Sequence, residues 1–185
     1  AIILNEVRTL YADIENKRVV SLLPTRRPYG DYIAWLSKQD QEKAETYWKM
    51  VLVDAKPTRL INRIVEEDQT HASKQFTLAL DTDLSQRLSS YAGKVGVTLN
   101  TVLQVLWGIV LNVYTRQDDV VFGVVISGRQ IDLPGIEDMV GIFINTLPLR
   151  IQMKGNVSLE ELFKKTQNQM MEMQENSYLP LWKIQ

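Results

Sequence analysis

Few of the side chains that carry acyl-transfer or hydrolytic chemistry occur here in a usable arrangement. The absence of cysteine removes thiolate nucleophiles, thiolate metal sites and disulfides together. The one histidine, His71, lies in the polar stretch EEDQTHASK. A serine–histidine–carboxylate triad would have to use it, and no G-x-S-x-G elbow accompanies it. No ligand-like spacing of imidazoles or carboxylates points to a metal, so His71 reads as a solvated loop residue. GVVISGR, 123–129, has two glycines but neither of the patterns that cradle phosphate.

Two places remain. Ser127, Gly128 and Arg129 lie at the carboxyl end of what reads as the most buried strand, and ligands in α/β sheets bind beyond the carboxyl ends of strands. A plain turn, with Gly128 at positive φ and Arg129 paired to a surface carboxylate, explains them equally well. The other is Asn145, which interrupts MVGIFINTLPLRI (139–151) where strand alternation puts it on the face of Phe143, Leu147, Leu149 and Ile151. A buried amide without partners costs roughly 1–3 kcal/mol, so it either caps neighbouring backbone or faces a polar cavity. Pro148 removes a donor from the same strand, which suggests an edge or a bulge.

The elements that must hold these residues follow from periodicity. Ile3, Val7, Leu10, Tyr11 and Ile14 predict a helix over about 1–15 that is entered part-way, as in a fragment. A connection with two prolines and a basic cluster spans 16–30. A second helix is predicted over about 31–53, burying Ile33, Leu36, Tyr47, Trp48, Val51 and Leu52. A loop over 54–74 precedes a half-buried strand at 75–80, QFTLAL. Two helices follow, one stopped by Gly96, the other capped by Thr98, running to about Arg116 and apolar on most faces, as in a sandwiched element. DVVFGVVIS, 119–127, reads as a strand covered on both faces. A loop at 128–141, a strand at 142–152 and a last helix opened by the capping box SLEE (158–161) complete the order. Leu159, Leu162, Phe163, Thr166, Met170 and Met173 mark that helix's inner face, with Met170, Met171 and Met173 as core filling. The class is α/β or α+β, a two-layer lobe with a small mixed sheet.

With 185 residues, 21 basic against 22 acidic, the chain has the size of one domain or one lobe and no electrostatic reason to seek nucleic acid or a membrane. No apolar run reaches the roughly 18–20 residues of a membrane span. The absence of cysteine fits a cytoplasmic location.

YGDYIAWL (29–36), YW (47–48), DDVVFGVVISGR (118–129), MVGIFINTLPLRI (139–151) and YLPLWKIQ (178–185) together resemble, in this order, the condensation domains of nonribosomal peptide synthetases. The resemblance covers essentially the whole chain. It implies a fold like chloramphenicol acetyltransferase, with this chain as the second half of a V-shaped pair of lobes: 1–28 a helix and connection following the catalytic signature, 29–185 the C-terminal lobe. That signature, H-H-x-x-x-D-G, does not occur here and is expected upstream of Ala1, so no catalytic residue is assigned within the chain and the chain alone is expected to be inactive.

The resemblance further implies that the intact domain joins a donor acyl thioester to an acceptor aminoacyl thioester. Both would be carried on phosphopantetheine arms, with no cofactor bound to the lobe itself. The implied partners are the N-terminal lobe, the upstream and downstream peptidyl carrier domains and an adjoining adenylation domain. Ser127, Gly128, Arg129 and Asn145 would line the substrate tunnel, and loop 128–141 would resemble the family's floor. Tyr29, Asp31, Trp35, Trp48, Gly141, Phe143, Pro148, Arg150, Tyr178, Pro180 and Gln185 would be structural parts of the motifs. Epimerisation and cyclisation domains share the architecture, and a silent module recruiting carrier domains is the alternative of another class.

Overall fold

The computed structural model describes residues 2–60 and 75–184; His71 and Gln185 lie outside them. Seven helices and one hairpin-like pair of strands appear among these residues: α1 (Ile2–Glu15), α2 (Tyr29–Leu36), α3 (Gln41–Val51), α4 (Thr82–Val95), α5 (Leu99–Thr115), β1 (Asp119–Ser127), β2 (Ile144–Gln152), α6 (Leu159–Glu175) and α7 (Leu181–Ile184), with one 3-10 turn at Ile136–Asp138.

Local signals act where expected. Gly96 ends α4 in the left-handed conformation at φ 78°, a geometry that costs glycine little. Thr98 caps α5 by accepting from the Thr101 amide at 3.1 Å. Ser158 and Glu161 form the full reciprocal box at the start of α6. The helix expected over 31–53 is two helices instead. Residues 37–40 break it, and the Asp40 carboxylate accepts from the Lys43 amide at 2.9 Å to begin α3 afresh.

The sheet is an antiparallel pair rather than the mixed sheet expected, with Asp119 opposite Gln152 and Ser127 opposite Ile144. Residues 75–80 join no ladder among the described residues, and Phe76 and Leu78 stand exposed. Alternation makes a half-buried strand only where a partner edge and a surface are offered. Pro148 lies opposite Gly123 in unbroken register, so it marks an edge strand and not a bulge.

One face of the pair carries the core. Val120, Val124, Leu147, Leu149 and Ile151 are buried there with Val102, Val105 and Leu111 of α5, Phe163 and Met173 of α6, Trp48 of α3, and Leu179. The opposite face is covered only at one end among the described residues: the Asp119–Arg150 pair is sheltered, whereas Val125 is 69% exposed, so β1 is not covered on both sides along its length. Helix α5 likewise buries one stripe and leaves Leu103, Trp107, Val113 and Tyr114 outside. Met173 fills the core as expected, but Met171 faces outward and Leu159 is also exposed.

A smaller cluster gathers Tyr32, Leu133, Ile136, Met139 and Phe143 between α2 and the loop that follows β1. Phe143 belongs to it because β2 begins only at Ile144, so Phe143 does not share the Leu147 face as alternation suggested.

Tyr47 supplies a test of the packing. Its buried hydroxyl finds no hydrogen-bond partner among the described residues. Burial, with the charges of Glu172 and Glu175, pushes its pKa up to about 12. A raised value means that stability is full below about pH 10, the ordinary tyrosine value, and is lost as pH climbs towards 12. Tyr47→Phe is expected to leave neutral stability unchanged or slightly higher and to flatten that alkaline loss, as followed by circular dichroism during a base titration.

Candidate functional site

The junction after β1 is built by close backbone approach. Gly128 is buried, and its amide donates to the Phe143 carbonyl at 2.8 Å. A Cβ there would lie 2.3 Å from that oxygen, so no other residue fits without moving backbone. Gly141 makes similar room, since a Cβ would meet the Tyr29 ring at 2.0 Å. The Tyr29 hydroxyl donates to the Ile142 carbonyl at 2.5 Å. Gly128→Ala is expected to cost about 1–3 kcal/mol, the usual range for overpacking a rigid site. A denaturant midpoint unchanged from that of the parent chain would show that the joint yields.

Arg129 pairs with no carboxylate among the described residues, and it borders a groove that it shares with the first turn of α1 and Met139. Its guanidinium donates to the carbonyls of Ile136 and, at 2.9 Å, Met139, and it sits 4.0 Å above the Phe143 ring. Arg27 holds the same loop from the other side, donating to the Pro134 carbonyl at 2.6 Å while paired with Asp31 at 2.6 Å. Loop 128–141 is thus shaped by guanidinium groups that satisfy the carbonyls of Pro134, Ile136 and Met139.

Ser127 is exposed at the end of β1, where its hydroxyl oxygen accepts from the Arg129 amide at a long 3.4 Å. Asn145, half-buried, ends the core face opposite Ile126. Its amide nitrogen donates to the Ser177 carbonyl at 2.8 Å and the Leu179 carbonyl at 3.1 Å, and its oxygen accepts from the Thr146 amide at 2.9 Å. Of the two roles open to this amide, geometry favours capping of backbone. Asn145→Ala is expected to cost about 1–3 kcal/mol, because two sheltered carbonyls lose a shared donor. A chemical melt tests this, and undiminished stability would return the amide to a substrate-facing role.

Asn145 and Gly128 nevertheless border one cleft of about 210 Å³, together with Tyr29, Trp35, Phe143 and Tyr178. Pro180 lies on its rim. Trp35 stacks on Tyr32 with ring centroids 6.2 Å apart and meets the Tyr178 ring edge-on at 6.4 Å, and the Tyr178 hydroxyl donates to the Asp40 carbonyl at 2.7 Å. Residues from four separated segments, 29–36, 118–129, 139–151 and 178–185, therefore meet on one concave surface. Trp48 and Arg150 lie away from it. Trp48 donates to the Asn176 carbonyl at 3.1 Å inside the main core. Arg150 pairs with Asp119 at 2.7 Å on the opposite face of the sheet. Tyr32, the hub of the aromatic cluster, was overlooked by sequence reasoning although it sits within the segment YGDYIAWL. Among the described residues no group of histidine, aspartate and glutamate side chains is arranged to hold a metal ion, and no single helix is long and apolar enough to cross a membrane.

Comparison with known proteins adds the family. The family model of the condensation domain matches residues 1–185. The chain is 41% identical to gramicidin S synthase 2 of Brevibacillus brevis, 40% to bacitracin synthase 1 of Bacillus licheniformis and 40% to gramicidin S synthase 2 of Aneurinibacillus migulanus, each over its whole length. It spans only 4% of each of those relatives. Among solved structures, the X-domain from teicoplanin biosynthesis superposes with a TM-score of 0.76 at 22% identity, over 94% of this chain and 41% of that one. The SgcC5 protein of Streptomyces globisporus gives 0.74 at 18%, over all of this chain and 43% of that one. The first condensation domain of the CDA synthetase gives 0.69 at 19%, over 93% and 39%. At these identities the likeness speaks for the fold, a lobe of helices on a small sheet.

Proposed function

The chain belongs to the condensation-domain family, and from that premise we propose that it forms the C-terminal lobe of a domain that makes peptide bonds in nonribosomal synthesis. The observation that carries the reading is the family match along all of residues 1–185, from a chain that covers about two-fifths of the solved neighbours. The names of its relatives, gramicidin S synthase 2 and bacitracin synthase 1, support it.

In this reading the donor acyl group and the acceptor aminoacyl group arrive as thioesters on phosphopantetheine arms of upstream and downstream carrier domains. An adenylation domain adjoins, the N-terminal lobe provides the facing wall, and the lobe binds no cofactor of its own. The acceptor's amine attacks the donor thioester carbonyl, a C–N bond forms, the C–S bond breaks, and the arm leaves as thiol with the proton shed by nitrogen. An α-amino group titrates near pH 7.7–8.0, so much of it is already nucleophilic, and confinement of both arms supplies the rest as proximity.

Ser127, Gly128, Arg129 and Asn145 border the passage, with loop 128–141 as its floor. The hydrogen bonds of Arg129 and Asn145 go to backbone carbonyls, so they serve as wall builders, and the exposed Ser127 hydroxyl is the polar group of the four left facing outward. Because H-H-x-x-x-D-G does not occur in the sequence, mixing the 185-residue chain with loaded donor and acceptor carriers is expected to give no amide, whereas a two-lobe domain in which a facing lobe supplies that signature gives one. Mass spectrometry of the acceptor arm reads both. Product from the chain alone, or none from the two-lobe domain, would overturn the proposal.

A further inference from the structure

Helix α1 is packed lightly among the described residues. None of its residues is fully buried, Ile2, Glu6, Leu10 and Asp13 are half-buried, and Ile3, Leu4, Val7, Tyr11 and Ile14 are exposed. Among the described residues its side chains make two hydrogen bonds beyond the helix. Asp13 accepts from the Ser21 amide at 2.9 Å, within the local connection. Glu6 accepts from Arg26 Nε at 2.6 Å, and that bond leads elsewhere. The same guanidinium turns Nη1 towards Asp138, 3.4 Å from the carboxylate and 3.5 Å from the carbonyl. Asp138 ends the 3-10 turn inside loop 128–141 and adjoins Met139, whose carbonyl Arg129 holds. Across a groove beside this contact, the first turn of α1 faces Met139, Val140 and Gly141.

The two arms of Arg26 differ in strength. Its pairing with Glu6 is short and sheltered, with side-chain exposures of 24% and 22%. Its contact with Asp138 is longer, and that carboxylate is 69% exposed. A planar guanidinium can hold two acceptors in fixed relative position, which an ammonium cannot. We propose that Arg26 is a positioning residue that couples helix α1 to loop 128–141, transmitting the placement of one to the other through Glu6 and Asp138. Its consequence for turnover rests on the reading above: with α1 displaced, the floor of the passage loses its set and the two arms meet less often in productive alignment.

The test is hydrogen exchange on the natural protein with three variants. Glu6→Gln removes the sheltered charge, and amides of both α1 and residues 131–141 are expected to exchange about tenfold faster, the change a lost charge-assisted bond brings, with α6 unaffected. Arg26→Lys is expected to recover α1 in part and the loop little. The exchanged pair Glu6→Arg with Arg26→Glu re-forms the first contact but sets a carboxylate against Asp138. It should protect α1 and leave the loop fast. Faster α1 with an unchanged loop in Glu6→Gln would reduce Arg26 to a local brace and overturn the coupling. In steady-state assays, Glu6→Gln should lower kcat with KM for both thioesters kept, and an unaltered kcat despite a fast loop would overturn the link to turnover. A parent protein that makes no amide sinks the functional reading while the exchange result still judges the coupling.

Discussion

Arg150→Ala is expected to destabilise the chain by about 3 kcal/mol, the lower part of the range for breaking a largely buried ion pair. Arg150 is 9% and Asp119 17% exposed at their side chains. Nε donates to one carboxylate oxygen at 2.9 Å and Nη2 to the other at 2.7 Å, a bidentate pairing of neighbouring strands. Nη1 donates to the carbonyls of Val51 and Val53 at 2.8 Å each, closing the end of α3. Alanine strips donors from three acceptors at once and leaves a sheltered charge alone. Arg150→Lys keeps the charge without the fork and is expected to recover less than half of the loss.

The same pair sets an acid dependence. Hydrogen bonds from the Arg150 guanidinium hold Asp119 below the usual carboxylate range, against burial, which pushes the other way. With the folded value depressed, the contribution is complete above about pH 4 and disappears as pH falls through the lowered value. Urea titrations at neutral and acid pH should therefore show parent and Arg150→Ala converging at low pH. A difference independent of pH would mean that the loss comes from the α3 carbonyls rather than the ion pair.

Trp48→Ala is expected to cost about 3–5 kcal/mol, the range for removing a fully buried large aromatic. Trp48 is 2% exposed and touches the core built by α5, α6 and the sheet. It also carries a polar bond, from Nε1 to the Asn176 carbonyl at 3.1 Å. Trp48→Phe keeps most of the apolar area and drops the donor. It should cost about 1–2 kcal/mol, mostly for the carbonyl left without its partner. A thermal or urea melt of both variants separates packing from hydrogen bonding. Equal losses in the two would place the whole effect in the bond.

What could be read ahead of the structure follows the reach of each interaction. The cap at Thr98, the stop at Gly96 and the box at Ser158 and Glu161 are decided within four residues, and each stands as the spacing implied. Asp40 belongs to the same class, and its signal was present in the sequence, but a helical run of apolar residues on both sides masked it. Asn145 was found by its misfit with strand alternation. Its partners, the carbonyls of Ser177 and Leu179, lie 32 and 34 positions further on, beyond anything periodicity can report. Arg129 reads from its spacing as facing either a ligand or a surface carboxylate; its hydrogen bonds go to carbonyls of its own loop while it also borders a groove beside α1. No spacing rule describes the path of that loop. The strand expected at 75–80 finds no mate among the described residues, for a related reason: pairing is a property of two segments, and the pattern of one cannot name its mate.

Three carbonyls in one short stretch, those of Asn176, Ser177 and Leu179, are gripped by side chains from α3 and β2. That stretch is therefore stitched to parts of the chain encoded far upstream. Anyone splicing this lobe with a relative's inherits the stitching. A crossover within the exposed residues 154–157 parts donors from acceptors and asks a foreign tail to meet resident Asn145 and Trp48. A junction placed before Gln41 carries both sides of the seam together.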